Sequence, residues 1–216
     1  LSIEHGTPFD HWNQRGLLDP IDPDLAADMY EWSSIILEEN HYTQYEISNW
    51  AMRKPHEPIP LTSNPQLACM HNLQYWHNLP YLGFGAGAHG YANGIRTANV
   101  LSPKAYIQRL HHPTDSSDNL HAPLYPCTPA TTSAQPIDKK AEIGETLMMG
   151  LRLTREGVSE ETFQERFHQS LLETFRPEIA RLEKLKLLEW VQSEKSHLRL
   201  TLNGRLLGNQ VFLEFI

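Results

Sequence analysis

His71, Asn72, Tyr75 and Trp76 fall within one six-residue run, HNLQYW, with Cys69 just before it and His77 directly after it. A further imidazole, His89, lies beyond the glycine-rich stretch Gly83-Phe-Gly-Ala-Gly-Ala-His89-Gly90. Such a set suits a planar or metal-containing ligand. A neutral imidazole is the commonest axial ligand to heme iron, and aromatic rings line the faces of such pockets. His71 is the first candidate ligand, with His77 and His89 behind it. Composition alone equally accommodates plain packing, with His71 and Asn72 satisfying buried backbone groups and Tyr75 and Trp76 in a core. A zinc site built on Cys69, His71 and His77 or His89 lacks the paired CxxC or HxxxH spacings of structural zinc ligands.

The glycine run lets backbone approach a neighbour or a ligand closely. It superficially matches a dinucleotide loop, but no helix and no distal acidic residue follow in the required places. The expectation is a buried strand of small residues with one end lining a pocket. No GxSxG elbow, Walker loop or HExxH motif occurs. Glu4, Asp10 and Glu46 are scattered carboxylates, expected to be solvated or capping.

These residues sit in a chain of 216 residues with a net charge of −8, 40% hydrophobic and 20% charged. The negative balance argues against nucleic acid as the main partner, since phosphate binding needs a basic surface. No apolar run is long enough to span a bilayer. Cys69 and Cys127 lie in unlike contexts and make a poor disulfide framework, which fits a reducing cytoplasm. The opening LSIEHG reads as a strand entered midway, as in a fragment of a longer protein. A partial barrel lacking its first strands would then expose sheet edges and aggregate readily.

Three regions separate on composition: 1–110 with the motifs, 111–140 as a Pro/Ser/Thr-rich linker or insertion, and 141–216 with helical periodicity. Asp22-Pro23 makes a good helix start, and Leu25, Met29, Trp32 and Ile36 form one apolar stripe. The run Tyr42 to Ala51 suits a strand, so strand, helix and strand suggest a βαβ unit of a parallel sheet. In 141–216, Ile143, Leu147 and Leu151 mark one helix. Ser159 caps a second with Phe163, Phe167 and Leu171, and Pro177 opens a third with Ile179, Leu182 and Leu185 inward. Strands over 188–191 and 197–202 follow, with Leu198, Leu200 and Leu202 alternating, and Asn203 is placed to cap a last helix. Helices followed by a hairpin suggest a winged helix. Its 10 Lys/Arg against 12 Asp/Glu disfavour DNA binding.

Several ordered segments carry a family resemblance: IEHGTPF (3–9), DLAADMY (24–30), YEISNWA (45–51), CMHNLQYW (69–76), YLGFGAGAHGY (81–91), GIRTAN (94–99), ETLMMGLRLTREGV (145–158), F-xx-RF (163–167) and LRLTLNGRLLGNQVFLEF (198–215). Together they resemble the HemW group of heme chaperones, relatives of oxygen-independent coproporphyrinogen III oxidase. The resemblance implies an α/β fold: the C-terminal part of a radical-SAM partial (β/α) barrel, then a small winged-helix-like α+β domain of the HemN C-terminal type. It implies heme contacts at His71, Asn72, Tyr75 and Trp76, with His71 at the iron. It implies positions bordering S-adenosylmethionine at Ala51 and His89. The implied cofactors are heme, a [4Fe-4S] cluster and S-adenosylmethionine, and the implied partners are heme and heme-acceptor proteins. The alternative it carries is a radical-SAM enzyme of the coproporphyrinogen oxidase kind. The family's CxxxCxxC motif is absent from this chain, and a cluster held by three thiolates cannot form on two cysteines alone.

Overall fold

The computed structural model describes residues 3–19, 22–54, 58, 60–111, 126–192 and 195–216. It divides into two compact units, one ending at His41 and one running from Tyr42 to Ile216.

The first unit holds α1 (Pro8–Gln14) and α2 (Pro23–Glu39). Both begin as their sequences dictate. The Thr7 hydroxyl accepts from the Asp10 N–H at 3.2 Å, and the Asp22 carboxylate accepts from Asp24 and Leu25 at 2.9 and 3.2 Å. Pro23, needing no hydrogen-bond acceptor, opens the helix behind that cap. The stripe predicted on α2 is present but uncovered, and Leu25, Met29 and Trp32 are each more than half exposed. The strand expected at LSIEHG is not found over 3–6, where His5 and Gly6 turn instead; residues 1 and 2 lie outside the described residues. The Gly6 N–H donates to the Asp10 carboxylate at 2.9 Å, so this segment is drawn into the start of α1.

In the second unit the single strand expected over 42–51 is a hairpin, β1 (Tyr42–Glu46) against β2 (Asn49–Met52). The cause is Glu46. It is buried, and its carboxylate accepts from the Ser48 N–H at 3.0 Å and the Asn49 amide at 2.5 Å, closing the turn between the strands. Every strand pairing among the described residues is antiparallel, so the parallel βαβ arrangement around α2 does not appear there. After α3 (Met70–Trp76), β3 (His89–Ala92) turns through Asn93-Gly94 into β4 (Ile95–Asn99). Both turn residues have positive φ, 51° and 69°, the conformation that favours Asn-Gly in two-residue hairpins. Helix α4 (Pro103–His111) follows.

Part of the predicted linker, 112–125, lies outside the described residues. Its later portion is not a linker: Thr131–Pro136 forms β5, the edge strand beside β4. Its sequence, TTSAQP, is polar on both faces and ends in proline. An edge strand tolerates that, and it leaves no apolar alternation to read.

The rest is a small helix-and-sheet module. Helix α5 (Lys139–Gly150) leads into β6 (Val158–Ser159), α6 (Glu160–Phe167), α7 (Leu171–Thr174) and α8 (Arg176–Lys184). Then come β7 (Leu188–Gln192), β8 (Ser196–Leu200), α9 (Leu202–Leu206), α10 (Gly208–Phe212) and a 3₁₀ turn (Leu213–Phe215). The three strands order as β6-β8-β7, a small open sheet. Ile143, Leu147, Leu151, Phe163, Phe167, Leu171, Ile179, Leu182, Leu198 and Leu200 are all buried in one core, as their spacing predicts. Two leucines differ. Leu185 is 59% exposed because it sits past the end of α8, where Lys186 reverses the chain at φ 58°. Leu202 is 49% exposed because the strand has already ended and α9 has begun. The cap of α9 is Thr201, whose hydroxyl accepts from the Gly204 N–H at 3.0 Å, and Asn203 lies inside the helix. No helix among the described residues is long and apolar enough to cross a membrane.

Candidate functional site

HNLQYW lies wholly within α3, so its four selected side chains pair at i and i+4. That spacing splits them between two faces. On the outer face, exposed His71 meets Tyr75 edge-on, ring centroids 4.9 Å apart at 88°. Tyr75 in turn meets Tyr81 at 4.6 Å and 70°. On the inner face, the Asn72 amide donates to the Tyr45 hydroxyl at 3.2 Å. Trp76 packs against the small cluster of Tyr45, Ala51, Ala68, Leu73 and Leu153. The Arg152 guanidinium lies over the Trp76 ring, 4.7 Å from its centroid, and 5.3 Å from that of Phe212. Burial pulls the Arg152 pKa down, and the carboxylate of Glu46 opposes that shift. The four residues thus form a His-Tyr row on one face of α3, with His71 exposed and Tyr75 half-buried, and a half-buried Asn-Trp pair on the other.

Tyr81 is fixed through its backbone, which exchanges two hydrogen bonds with Tyr91 at 2.7 and 2.9 Å. Burial pushes both phenols upward. Arg96 partly offsets the rise at Tyr81. At Tyr91 the carboxylate of Glu142 adds to it.

The glycine run is a folded-back loop and not the buried strand expected of it. Asn99 donates to the carbonyls of Gly83 and Gly85 at 3.1 and 3.0 Å, and the Gly85 N–H donates to the Tyr106 hydroxyl at 3.1 Å. A Cβ at Gly83 would collide with the His89 carbonyl, and Gly85 and Gly87 have φ of 105° and 70°. Close approach of backbone to backbone accounts for the small residues here. Phe84 is left 82% exposed at the loop surface.

The two positions expected near S-adenosylmethionine are in different sheets. Ala51 is buried in β2 opposite Thr43, and His89 is exposed at the start of β3 opposite Ala98. Cys69 is exposed at the start of α3, and both cysteines are free. Among the described residues no three His, Cys, Asp or Glu side chains gather as a metal site would require, so the zinc arrangement does not form. Two free thiols likewise do not fit a cluster that needs three.

His77, just beyond α3, is held quite differently from His71. Its Nε2 lies 3.0 and 3.1 Å from the two oxygens of Glu156, and the Asn64 amide donates to the same carboxylate at 2.6 Å. Arg166 donates to the carbonyls of His77 and Asn78 at 3.2 and 3.0 Å and to Glu142 at 2.8 Å. A cleft of about 330 Å³ opens beside this pair, with Trp76, Leu79, Val158 and Phe163 among its lining. Glu156, Arg166 and Tyr81 were not singled out from sequence. All three lie within the matched segments, but nothing in their spacing marks them, because they meet α3 across 79, 89 and 6 residues of chain respectively.

An open antiparallel sheet wrapped by short helices, carrying a His-aromatic surface helix, defines an α+β module of a recognisable type. Residues 137–207 match the HemN C-terminal domain. Over all 216 residues the chain is 32% identical to the heme chaperone HemW of Lactococcus lactis and spans 48% of that protein. It is 34% identical to HemW of Bacillus subtilis, spanning 49%. The chain thus spans about half the length of these curated relatives. Among solved structures, coproporphyrinogen III oxidase (HemN) from Escherichia coli, a radical SAM enzyme, matches with a TM-score of 0.60. That match covers 97% of this chain and 45% of the oxidase at 16% identity, a likeness of fold. The chain belongs to the HemW-type group of the HemN-like radical SAM family.

Proposed function

We propose that the chain binds heme and passes it to acceptor proteins, with His71 as the iron ligand and Asn72, Tyr75 and Trp76 completing the site. The observation that carries this reading is the row of exposed His71 and half-buried Tyr75 and Tyr81, linked edge to face at 4.9 and 4.6 Å. The imidazole supplies a nitrogen donor and the tyrosines supply ring edges for a macrocycle face. Asn72 and Trp76 act from behind, anchoring α3 to Tyr45 and Arg152 so that the row keeps its orientation. Exposure suits a carrier, because a ligand on an open surface can be reached by a second protein. The names of the HemW relatives add support.

The family also implies S-adenosylmethionine and a [4Fe-4S] cluster. We place Ala51 and His89 near the former, while the thiolates for the latter would have to come from outside these residues. A cytoplasmic location goes with this reading. Titration with hemin, followed at the Soret band, tests it. The expected result is saturable binding that His71→Ala weakens at least tenfold. An unchanged titration for that variant would remove His71 from the site.

A further inference from the structure

A guanidinium drawn out of water keeps its charge and needs acceptors for five N–H groups. Arg152, just past the end of α5, has none among the described residues. Its Nε is enclosed without a hydrogen-bond partner, and no hydrogen bond or ion pair reaches the rest of its side chain. Aromatic faces hold it instead, Trp76 at 4.7 Å and Phe212 at 5.3 Å. A ring face attracts the cation but does not accept its in-plane N–H groups as an oxyanion would. The Glu46 carboxylate is taken up by Ser48 and Asn49 in closing the β1–β2 turn.

Beside Arg152 opens a cleft of about 410 Å³, lined also by Arg205, Asn209, Gln210, Ile47 and Phe212. Among the described residues no carboxylate lines it, although the chain carries 26 Asp and Glu against 18 Lys and Arg. Both cations are held by separate parts of the fold. Arg205, on α9, donates to the Gln44 side-chain oxygen at 2.9 Å and to the Thr154 carbonyl at 3.3 Å. The Arg152 carbonyl accepts from the Ile47 N–H at 3.1 Å, which ties the hairpin turn to the same wall. Two like charges brought to one cleft repel each other, and an anion between them relieves that cost. Because both are fixed in advance, little side-chain ordering accompanies binding.

We propose that this cleft binds the phosphate group of a small organic molecule, with Arg152 as its hydrogen-bonding cation, Arg205 as a second fixed charge, and the Asn209 and Gln210 amides as neutral donors at the exposed rim. A phosphate monoester suits this set better than a carboxylate, since it presents three terminal oxygens and a charge of about −1.5 to −2 at pH 7. The cleft is roomier than a bare phosphate requires, and Ile47 and Phe212 wall the remainder for the body of the molecule. The site uses none of the residues assigned to heme and stands or falls apart from that reading.

Thermal melting of the chain in rising inorganic phosphate or glycerol 3-phosphate, against sodium chloride at equal ionic strength, tests the site, with Arg152→Gln and Asn209→Asp as variants. Asn209→Asp keeps both arginines and sets a carboxylate at the exposed rim, so it opposes an anion without removing a buried contact. A saturable rise in melting temperature with both phosphates, lost in both variants, supports the site. If Arg152→Gln no longer melts cooperatively, Asn209→Asp alone decides. A rise no larger than chloride produces, or an equal rise in Asn209→Asp, overturns the site. Sodium acetate matching the phosphates shows a carboxylate site, and inorganic phosphate acting where glycerol 3-phosphate does not shows an adventitious ion only. Either result overturns the assignment to an organic phosphate.

Discussion

The module from α5 to the final turn and the region around α3 are held together by different means. In the module, Leu147, Leu151, Leu171, Ile179, Leu198, Leu200 and Val211 have no exposed surface and share one continuous core. Around α3 the core shrinks to Tyr45, Ala51, Ala68, Leu73 and Leu153, while Met70, Phe84 and Leu101 are more than three-quarters exposed. Polar ties make up the difference. Asn78 donates to the Thr146 hydroxyl at 2.9 Å, the Thr154 hydroxyl donates to the Gln44 carbonyl at 3.1 Å, and Arg166 grips the end of α3. A densely packed platform thus carries a thin, aromatic, partly open site. With fewer buried apolar contacts, the region around α3 is the easier of the two to open locally.

The contrast can be broken most directly by truncating one leucine on each side. Leu198→Ala should cost about 2–5 kcal/mol in urea unfolding, the range for a fully enclosed leucine. Leu73→Ala should fall at or below the bottom of that range, about 2 kcal/mol, since its thin surroundings can collapse. Equal losses would show that α3 is as well packed as the module. A smaller effect sharpens the module's side: Thr201→Ala should cost about 1 kcal/mol and Asn203→Ala almost nothing, because only the threonine hydroxyl caps α9. The reverse ranking would return the cap to Asn203.

The smallest effect is a pH dependence confined to the site region. Residues 137–216 contain no tyrosine, whereas Tyr81 and Tyr91 flank the site with phenols raised above the ordinary 10.0. The folded chain keeps those protons where the unfolded chain has lost them. Their contribution to stability is therefore complete below pH 10 and disappears as the pH climbs through the raised values. Melting temperature against pH, read beside tyrosinate absorbance, should show a decline above pH 10, and Tyr91→Phe should blunt it. A decline that begins several units lower would point to other groups.

Local signals were legible wherever neighbouring residues sufficed. Asp22-Pro23, Ser159 and Pro177 start helices where the sequence places them, because a cap needs only groups within three residues. Leucine and phenylalanine spacing marked the module's core for a similar reason, since helical period shows directly in the sequence. The hairpin at Ile47-Ser48 was illegible because it depends on Glu46 being buried, which no local pattern announces. Strand β5 was illegible because its pairing with β4 is its whole reason for being extended.

The same division runs through the site. By itself the sequence determined the family and which side chains could serve a porphyrin. Those follow from residue type and short-range spacing. Only the tertiary structure decided that HNLQYW is a helix, with His71 and Tyr75 on one face and Asn72 and Trp76 on the other, turned toward Tyr45 and Arg152. It also decided that the glycine run packs on its own backbone, and that His77 and not His71 has a carboxylate behind it. The physical reason is that an imidazole's tautomer and orientation are set by whatever lies against its second nitrogen. Here that group is Glu156, brought from 79 residues away by the packing of the module against α3.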